Sequence, residues 1–317
     1  EGAFSLMKYV SLSLILIAMN FSASELPGES SVKPSKVVEI PGYCEGIVFD
    51  RSGNAYISDT QNGEIYRVTP GGQAAIWAKT GAPNGHKVLA DGSHLVCDGS
   101  QRAVLRLDSS GKTLGKASSE YDNRPLRSPN DLTLDSHGGF YFTDPGGSDE
   151  NKPIGTIHYV DASGKTHLVA EGLAFPNGIV LRPGGKSLLV GESKHNRILV
   201  YDVLAPGKVG PMRVFAGLPT KERDQIDNQP DGMCLDQDGN LYVAHYGMRQ
   251  VQVLDPKGKL LRSYPAGNLT TSNVAFGGPK MDQLYVTGAL GDERTTKGGL
   301  FRLDLKGVKG LKLLPRP

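Results

Sequence analysis

NGIVLRPGGKSLLVGESKHNRILVYD, residues 177–202, decides the fold. It holds an apolar strand, a Gly-bearing hairpin turn at PGGK, a second strand, a polar turn and a third strand. The same unit stands elsewhere in the chain. EGIVFDRSGNAYISDTQNGEIYRV begins at Glu45, NGHKVLADGSHLVCDGSQRAVLRL at Asn84, and NDLTLDSHGGFYFTD at Asn130, with GTIHYVD after an insertion. DGMCLDQDGNLYVAHYGMRQVQVLD begins at Asp231, and a weaker copy, NVAFGGPKMDQLYVTG followed by GGLFRLDL, begins at Asn273. Successive starts lie 39 to 54 residues apart. Repeats of that length, built from about four short strands each, are propeller blades. The expectation is an all-β chain, a six-bladed β-propeller with four-stranded blades.

A ring must close. KVVEIPG, residues 36–42, precedes the first inner strand and has no partner in its own repeat. It is expected to become the outer strand of the last blade, so that the propeller spans residues 36–317. Residues 25–35 then read as a flexible lead-in. Ahead of them, Met7-Lys8 opens a run almost wholly apolar or small, and Ser22-x-Ser24 precedes Glu25. This is the pattern of a secretory signal peptide over residues 1–24, with residues 1–6 expected to be foreign to the natural product. The apolar run falls short of the roughly 20 residues of a spanning helix. The expected location is secreted or periplasmic, with no stable membrane span once the leader is removed.

Composition narrows the partners. The 317 residues carry 35 basic and 33 acidic side chains, a formal net charge of +2, and the signs are interspersed. No basic stripe is present for a nucleic acid to bind. Cys44, Cys97 and Cys234 have no C-x-x-C spacing and sit in apolar strand patterns, so they read as buried structural thiols.

The inner strand of each blade lines the central channel, so equivalent repeat positions form a ring around the axis. Read at the repeat starts, that ring is Glu45, Asn84, Asn130, Asn177, Asp231 and Asn273. A turn has a use for any one Asn but none for this convergence of oxygen-bearing side chains. Carboxylates and amides without Cys or His make a hard-ligand set suited to Ca2+, with another divalent cation as the alternative. Gly46, Gly85, Gly178 and Gly232 follow the ring residue in four copies and are expected to leave space beside it. His86 lies two residues beyond Asn84, which on an alternating strand places it on the channel side as a pocket wall or proton-transfer group. His245, at the end of the second strand of its blade, is the other histidine of interest. Asp59, Asp98 and Asp144 end second strands and read as blade-joining hydrogen-bond acceptors. The excursion 146–153, with Glu150 and Lys152, is expected on the rim.

The segments CEGIVFD, RSPNDLTLD with GGFYFTDPGG, AFPNGIVL and QPDGMCLDQDGNLYVA, in this order and spacing, resemble the gluconolactonase/regucalcin (senescence-marker-protein) family and especially its bacterial lactonases. The resemblance runs from about Pro41 to Leu305. It implies a divalent cation held by Glu45, Asn130, Asn177 and Asp231, with Asp231 also acting as general acid/base. It further implies a small-molecule lactone as substrate, opened to a hydroxy acid. Asn84, Ser128, His86 and Asn273 are the candidate substrate contacts. Animal members carry an Arg where this chain has Ser128, with Arg127 adjacent and Arg124 nearby, so the sugar contacts of that Arg do not transfer. Two other readings stand beside this one: hydrolysis of organophosphates or aryl esters, as by diisopropyl-fluorophosphatases, and a non-catalytic binding scaffold. The carboxylates on the axis and the single Trp, Trp77, speak against the scaffold.

Overall fold

The computed structural model describes residues 25–291 and 297–311; the leader expected over residues 1–24 lies outside them. Six antiparallel sheets make the blades, as the repeats predict. Blade one runs outward from the axis as Cys44–Phe49, Ala55–Asp59, Glu64–Val68 and Ala74–Lys79. The inner strands of the others are Pro83–Val88, Leu132–Leu134, Pro176–Leu181, Gln229–Leu235 and Thr270–Gly277, and they neighbour one another in a closed cycle. Blade four carries an added two-residue strand, Lys208–Val209, on its third strand. The helical structure among the described residues is two three-residue 3-10 turns, Glu29–Ser31 and Ser193–His195.

Closure follows the sequence. Ser35–Ile40 pairs antiparallel with Gly298–Asp304, with Val38 opposite Leu300 and Ile40 opposite Gly298. The first and last strands of the described chain therefore share the sixth sheet, which leaves no open inter-blade gap.

The segment before that strand is not a loose lead-in. Leu26 and Val32 are buried in one cluster with Val251 and Tyr264 of blade five. The Tyr264 hydroxyl donates to the Pro27 carbonyl at 2.8 Å, and the Ser263 amide donates to Glu29 Oε1 at 2.6 Å. Two apolar anchors and these bonds offset the ordering entropy of a short strap.

The core lies between sheets. Tyr242, Val251 and Val253 of blade five face Val274, Val286 and Leu303 of blade six, and similar clusters fill the other seams. This is why the second strands run apolar on both faces, as in AYISD and FYFTD. The three cysteines are buried and unpaired, one per inter-blade cluster, as expected of structural thiols.

Candidate active site

Every inner strand carries the same irregularity. In blade one Glu45 pairs Ser58 but Ile47 pairs Ile57, leaving Gly46 as an extra residue. Blade two places Asn84 and Gly85 between the pairs Pro83–Asp98 and His86–Val96. Blades four and five repeat this at Asn177–Gly178 and at Asp231–Gly232. In blade three the amide of Asn130 and the carbonyl of Asp131 both bond Thr143. Such a β-bulge bends the strand and re-aims a side chain, and bulges commonly adjoin active sites. Here a ring of bulges turns one polar side chain from each of blades one to five toward one end of the channel.

Glu45, Asn84, Asn130, Asn177 and Asp231 line one cavity of about 480 Å3. Glu45, Asn177 and Asp231 are each at most 7% exposed. The Oδ1 atoms of Asn84 and Asn177 are buried and accept no hydrogen bond from the described residues. An unmet buried acceptor costs about 1–3 kcal/mol, so a fold tolerates two in one cavity only for a reason. A hard divalent cation is such a reason, because it is satisfied by oxygen donors and two carboxylates match its charge. Among the described residues no three His, Cys, Asp or Glu side chains gather, so the amide oxygens are indispensable to any such set. Tyr43, which lines the same cavity, has its phenol pushed up by burial and then by the charges of Glu45 and Asp231.

Residues 43–290 match the family described as the SMP-30/gluconolactonase/LRE-like region. The chain belongs to that family. Lactonase drp35 of Staphylococcus saprophyticus is 31% identical over 76% of this chain and 77% of its own length. Diisopropyl-fluorophosphatase of Loligo vulgaris is 27% identical over 71% and 78%. The calcium-binding protein regucalcin of Agrobacterium tumefaciens shares the fold, with a TM-score of 0.76 and 22% identity over 90% of this chain and 98% of that one.

Three of the sequence-predicted contacts of this SMP-30/gluconolactonase-type site stand elsewhere. His86 is fully buried in the seam between blades one and two, with Nε2 2.7 Å from His94 Nδ1 and its ring beside Trp77 and Tyr56. The alternation argument fails because the bulge at Asn84–Gly85 inserts one residue and reverses the facing of everything beyond it. Asn273 is one residue out of register with the other repeat starts. Val274 pairs Val286 as Ile47 pairs Ile57, so the sixth ring position belongs to Ser272, and Asn273 takes the place that Gly46 holds in blade one. Asn273 Oδ1 accepts from the Val274 amide at 2.9 Å, as Asp131 Oδ1 does from Leu132 at 2.8 Å. Ser272 donates to the Cys44 carbonyl at 2.6 Å and is fully buried, so blade six offers no side chain to the cavity. Ser128 is held by its amide to Asp144 Oδ1 at 2.6 Å and does not line the cavity. Arg127 reaches the Ile154 carbonyl and Arg124 covers the Tyr121 ring, so neither supplies the animal-type Arg.

The glycines after the ring residues do more than leave space. A Cβ on Gly46 would stand 2.0 Å from the Asn84 carbonyl oxygen, and one on Gly178 would stand 2.1 Å from that of Asp231. Each lets the next blade's ring residue approach. Asp98 and Asp144 fasten the segments that enter their blades: Asp98 accepts from the amides of Gly81 and Ala82, Asp144 from those of Arg127 and Ser128. Asp59 instead ties the turn beyond its own strand, through Asn62. His245 is buried against Asn196 Oδ1 at 2.9 Å, outside the cavity.

The cavity's upper wall escaped the repeat alignment because it comes from strand ends and from connecting segments of unequal length. Phe175 and Lys194 form one side, with Asp227, Gln229 and Tyr246 beyond. Phe175 has φ +60°, uncommon for an aromatic residue. It is fixed there by its amide donating to Ser148 Oγ at 2.8 Å and its carbonyl accepting from Ser193 at 3.0 Å. The excursion 146–153 thus acts on the rim through Ser148 rather than through Glu150 or Lys152.

Proposed function

We propose that this protein is a calcium-dependent lactonase that opens a lactone, of gluconolactone type or similar, to its hydroxy acid. One observation carries the reading: two carboxylates and three amides from five blades converge on a single cavity in which two amide oxygens have no donor among the described residues. Glu45, Asn130, Asn177 and Asp231 hold the ion, with Asn84 beside them. When bound, calcium polarises an ester carbonyl and lowers the pKa of water. Asp231 then takes a proton from the attacking water and returns it to the ring oxygen as the C–O bond breaks. Tyr43 and Phe175 exclude bulk water from the floor. The relatives named lactonase drp35 and diisopropyl-fluorophosphatase support an ester- or phosphoester-cleaving centre. The leader sequence supports export.

The test is metal analysis of the purified protein followed by a panel of sugar, aliphatic and aromatic lactones with and without chelator. Lactone opening that stops on chelation and returns with calcium is expected. Hydrolysis of diisopropyl fluorophosphate with every lactone inert would move the assignment to the organophosphate reading, and an ion-loaded protein inert to both classes would overturn the hydrolase.

A further inference from the structure

The cavity holds four charged residues: Glu45, Asp231, Asp227 and Lys194. Glu45 and Asp231 would balance a bound divalent ion. Asp227 is satisfied within its own loop, Oδ1 by the Asn228 amide at 2.8 Å and Oδ2 by Gln229 Nε2 at 2.5 Å. Lys194 differs. No salt bridge among the described residues includes it, and its ammonium lies 5.9 Å from the centroid of the Phe175 ring.

That placement is built rather than incidental. Lys194 sits in the 3-10 turn Ser193–His195, and its amide donates to the Ala174 carbonyl at 3.3 Å. The Ala174 amide in turn donates to Glu192 Oε1 at 2.9 Å, and Glu192, 2% exposed, is paired with Arg197 at 2.6 Å. The neighbouring Phe175 is locked in its left-handed conformation by Ser148 and Ser193. Backbone strain of this kind costs on the order of 1–3 kcal/mol and persists where surrounding bonds over-determine it, often at ligand clamps. The result is a fixed wall, an aromatic ring with a cation over it: Phe175 immediately precedes the strand Pro176–Leu181 that supplies Asn177, and Lys194 lies in the turn that follows the second strand of the same blade.

We propose that Lys194 and Phe175 select anionic esters, binding a carboxylate substituent of the substrate at Lys194 while the ring lies against Phe175. The proposal rests on the ester-opening reading of the Glu45–Asp231 floor. With the floor carboxylates balanced by an ion, Lys194 is the cation among the charged residues lining the cavity and so the partner for an anionic substituent, while Asp227 keeps its charge and is held in place by its loop bonds. A lysine beside an apolar face pairs with a carboxylate more strongly than one in open water, because water competes less. Lys194 is therefore a specificity-determining residue rather than a member of the proton-transfer machinery.

The test uses the calcium-loaded protein with two near-isosteric substrates, γ-butyrolactone bearing a γ-carboxylate and the same ring bearing a γ-carboxamide. Wild type should favour the carboxylate by about tenfold in kcat/KM, equivalent to about 1.4 kcal/mol. Lys194→Met should erase that ratio through the KM of the carboxylate substrate, and Lys194→Arg should keep most of it. A wild-type ratio near one, or a ratio unchanged in Lys194→Met, overturns the proposal. Calorimetry with tetrahydrofuran-2-carboxylate and its carboxamide, which have no ester to cleave, separates this result from the reaction itself. Carboxylate binding that weakens about tenfold in Lys194→Met supports the wall even if neither lactone is opened; equal binding of both probes overturns it.

Discussion

Gly178 stands so close to the carbonyl oxygen of Asp231 that a Cβ on it would lie 2.1 Å away. The contact joins the inner strands of blades four and five at the level of the ring. Its φ is not in the left-handed region, so the demand for glycine is steric, made by the neighbouring backbone.

Gly178→Ala must therefore push the blade-five strand outward and carry Asp231 with it. Overpacking of this kind costs about 1–3 kcal/mol, and a rigid carbonyl places it at the upper end. Urea titration should read that loss, and calcium affinity should fall with it. An alanine variant with wild-type stability and wild-type ion affinity would show that the strands separate freely.

The repeat start positions made five of the cavity residues, Glu45, Asn84, Asn130, Asn177 and Asp231, legible in the sequence, because a ring position has a fixed place in each unit. Closure by residues 36–40 was legible for the same reason: one strand had no partner. The facing of His86 and of Asn273 was not. A period-two pattern assumes an unbroken ladder, and a bulge has no residue signature beyond a tolerance for glycine that Asp131 and Asn273 themselves violate. Phe175 and Lys194 were hidden because their geometry depends on bonds between segments far apart in sequence, Ser148 to Phe175 and Glu192 to Ala174.

Removal of the closing strand should be severe. A protein beginning at Gly42 loses the partner of Gly298–Asp304 and, with it, the Leu26 and Val32 anchors on blade five. It is expected to melt without a cooperative transition. A protein beginning at Ser35 keeps the strand and loses only the strap, so it should melt cooperatively but earlier than the mature chain. Identical melting of all three would mean that neither segment contributes to closure.

Acid should weaken the fold through its buried histidines. His158 packs between Tyr121 and Phe142, and burial, reinforced by the charges of Arg127 and Arg124, pushes its pKa down to about 3. An unfolded histidine titrates near 6.5. Between those values the unfolded chain binds the proton and the folded one does not, so stability is intact above about pH 6.5 and falls as pH drops toward 3. At pH 5 the loss from His158 alone is on the order of 2 kcal/mol. His158→Phe should shrink the difference in unfolding free energy between pH 7.5 and pH 5 by about that amount. An unchanged difference would mean that His158 is already charged in the folded protein.

Ion binding should discriminate among the ring residues. Glu45→Gln keeps an oxygen of similar reach but removes one of two negative charges, whereas Asn130→Ala removes a neutral ligand that water can replace. The first should raise the calcium Kd more than the second in calorimetry. A reversed order would place the main cation contact on the amide side of the ring.

The mechanistic assignment turns on Asp231. A carboxylate beside a metal ion is a weak base, so most of the stabilisation of the developing oxyanion must come from the electrostatics of the floor. Proton transfer by a positioned group still contributes roughly 10²–10⁴-fold. Asp231→Asn preserves size and an oxygen ligand while removing the base. Turnover of the best lactone should fall by about that factor at saturating calcium, with metal content retained. His86→Gln is the contrasting variant, because His86 lies in a seam, bonded to His94, with no path to the cavity floor. It should lower the melting temperature and leave turnover per folded molecule near wild type. If Asp231→Asn turns over normally while His86→Gln does not, proton transfer runs through the seam and the role given to Asp231 is wrong.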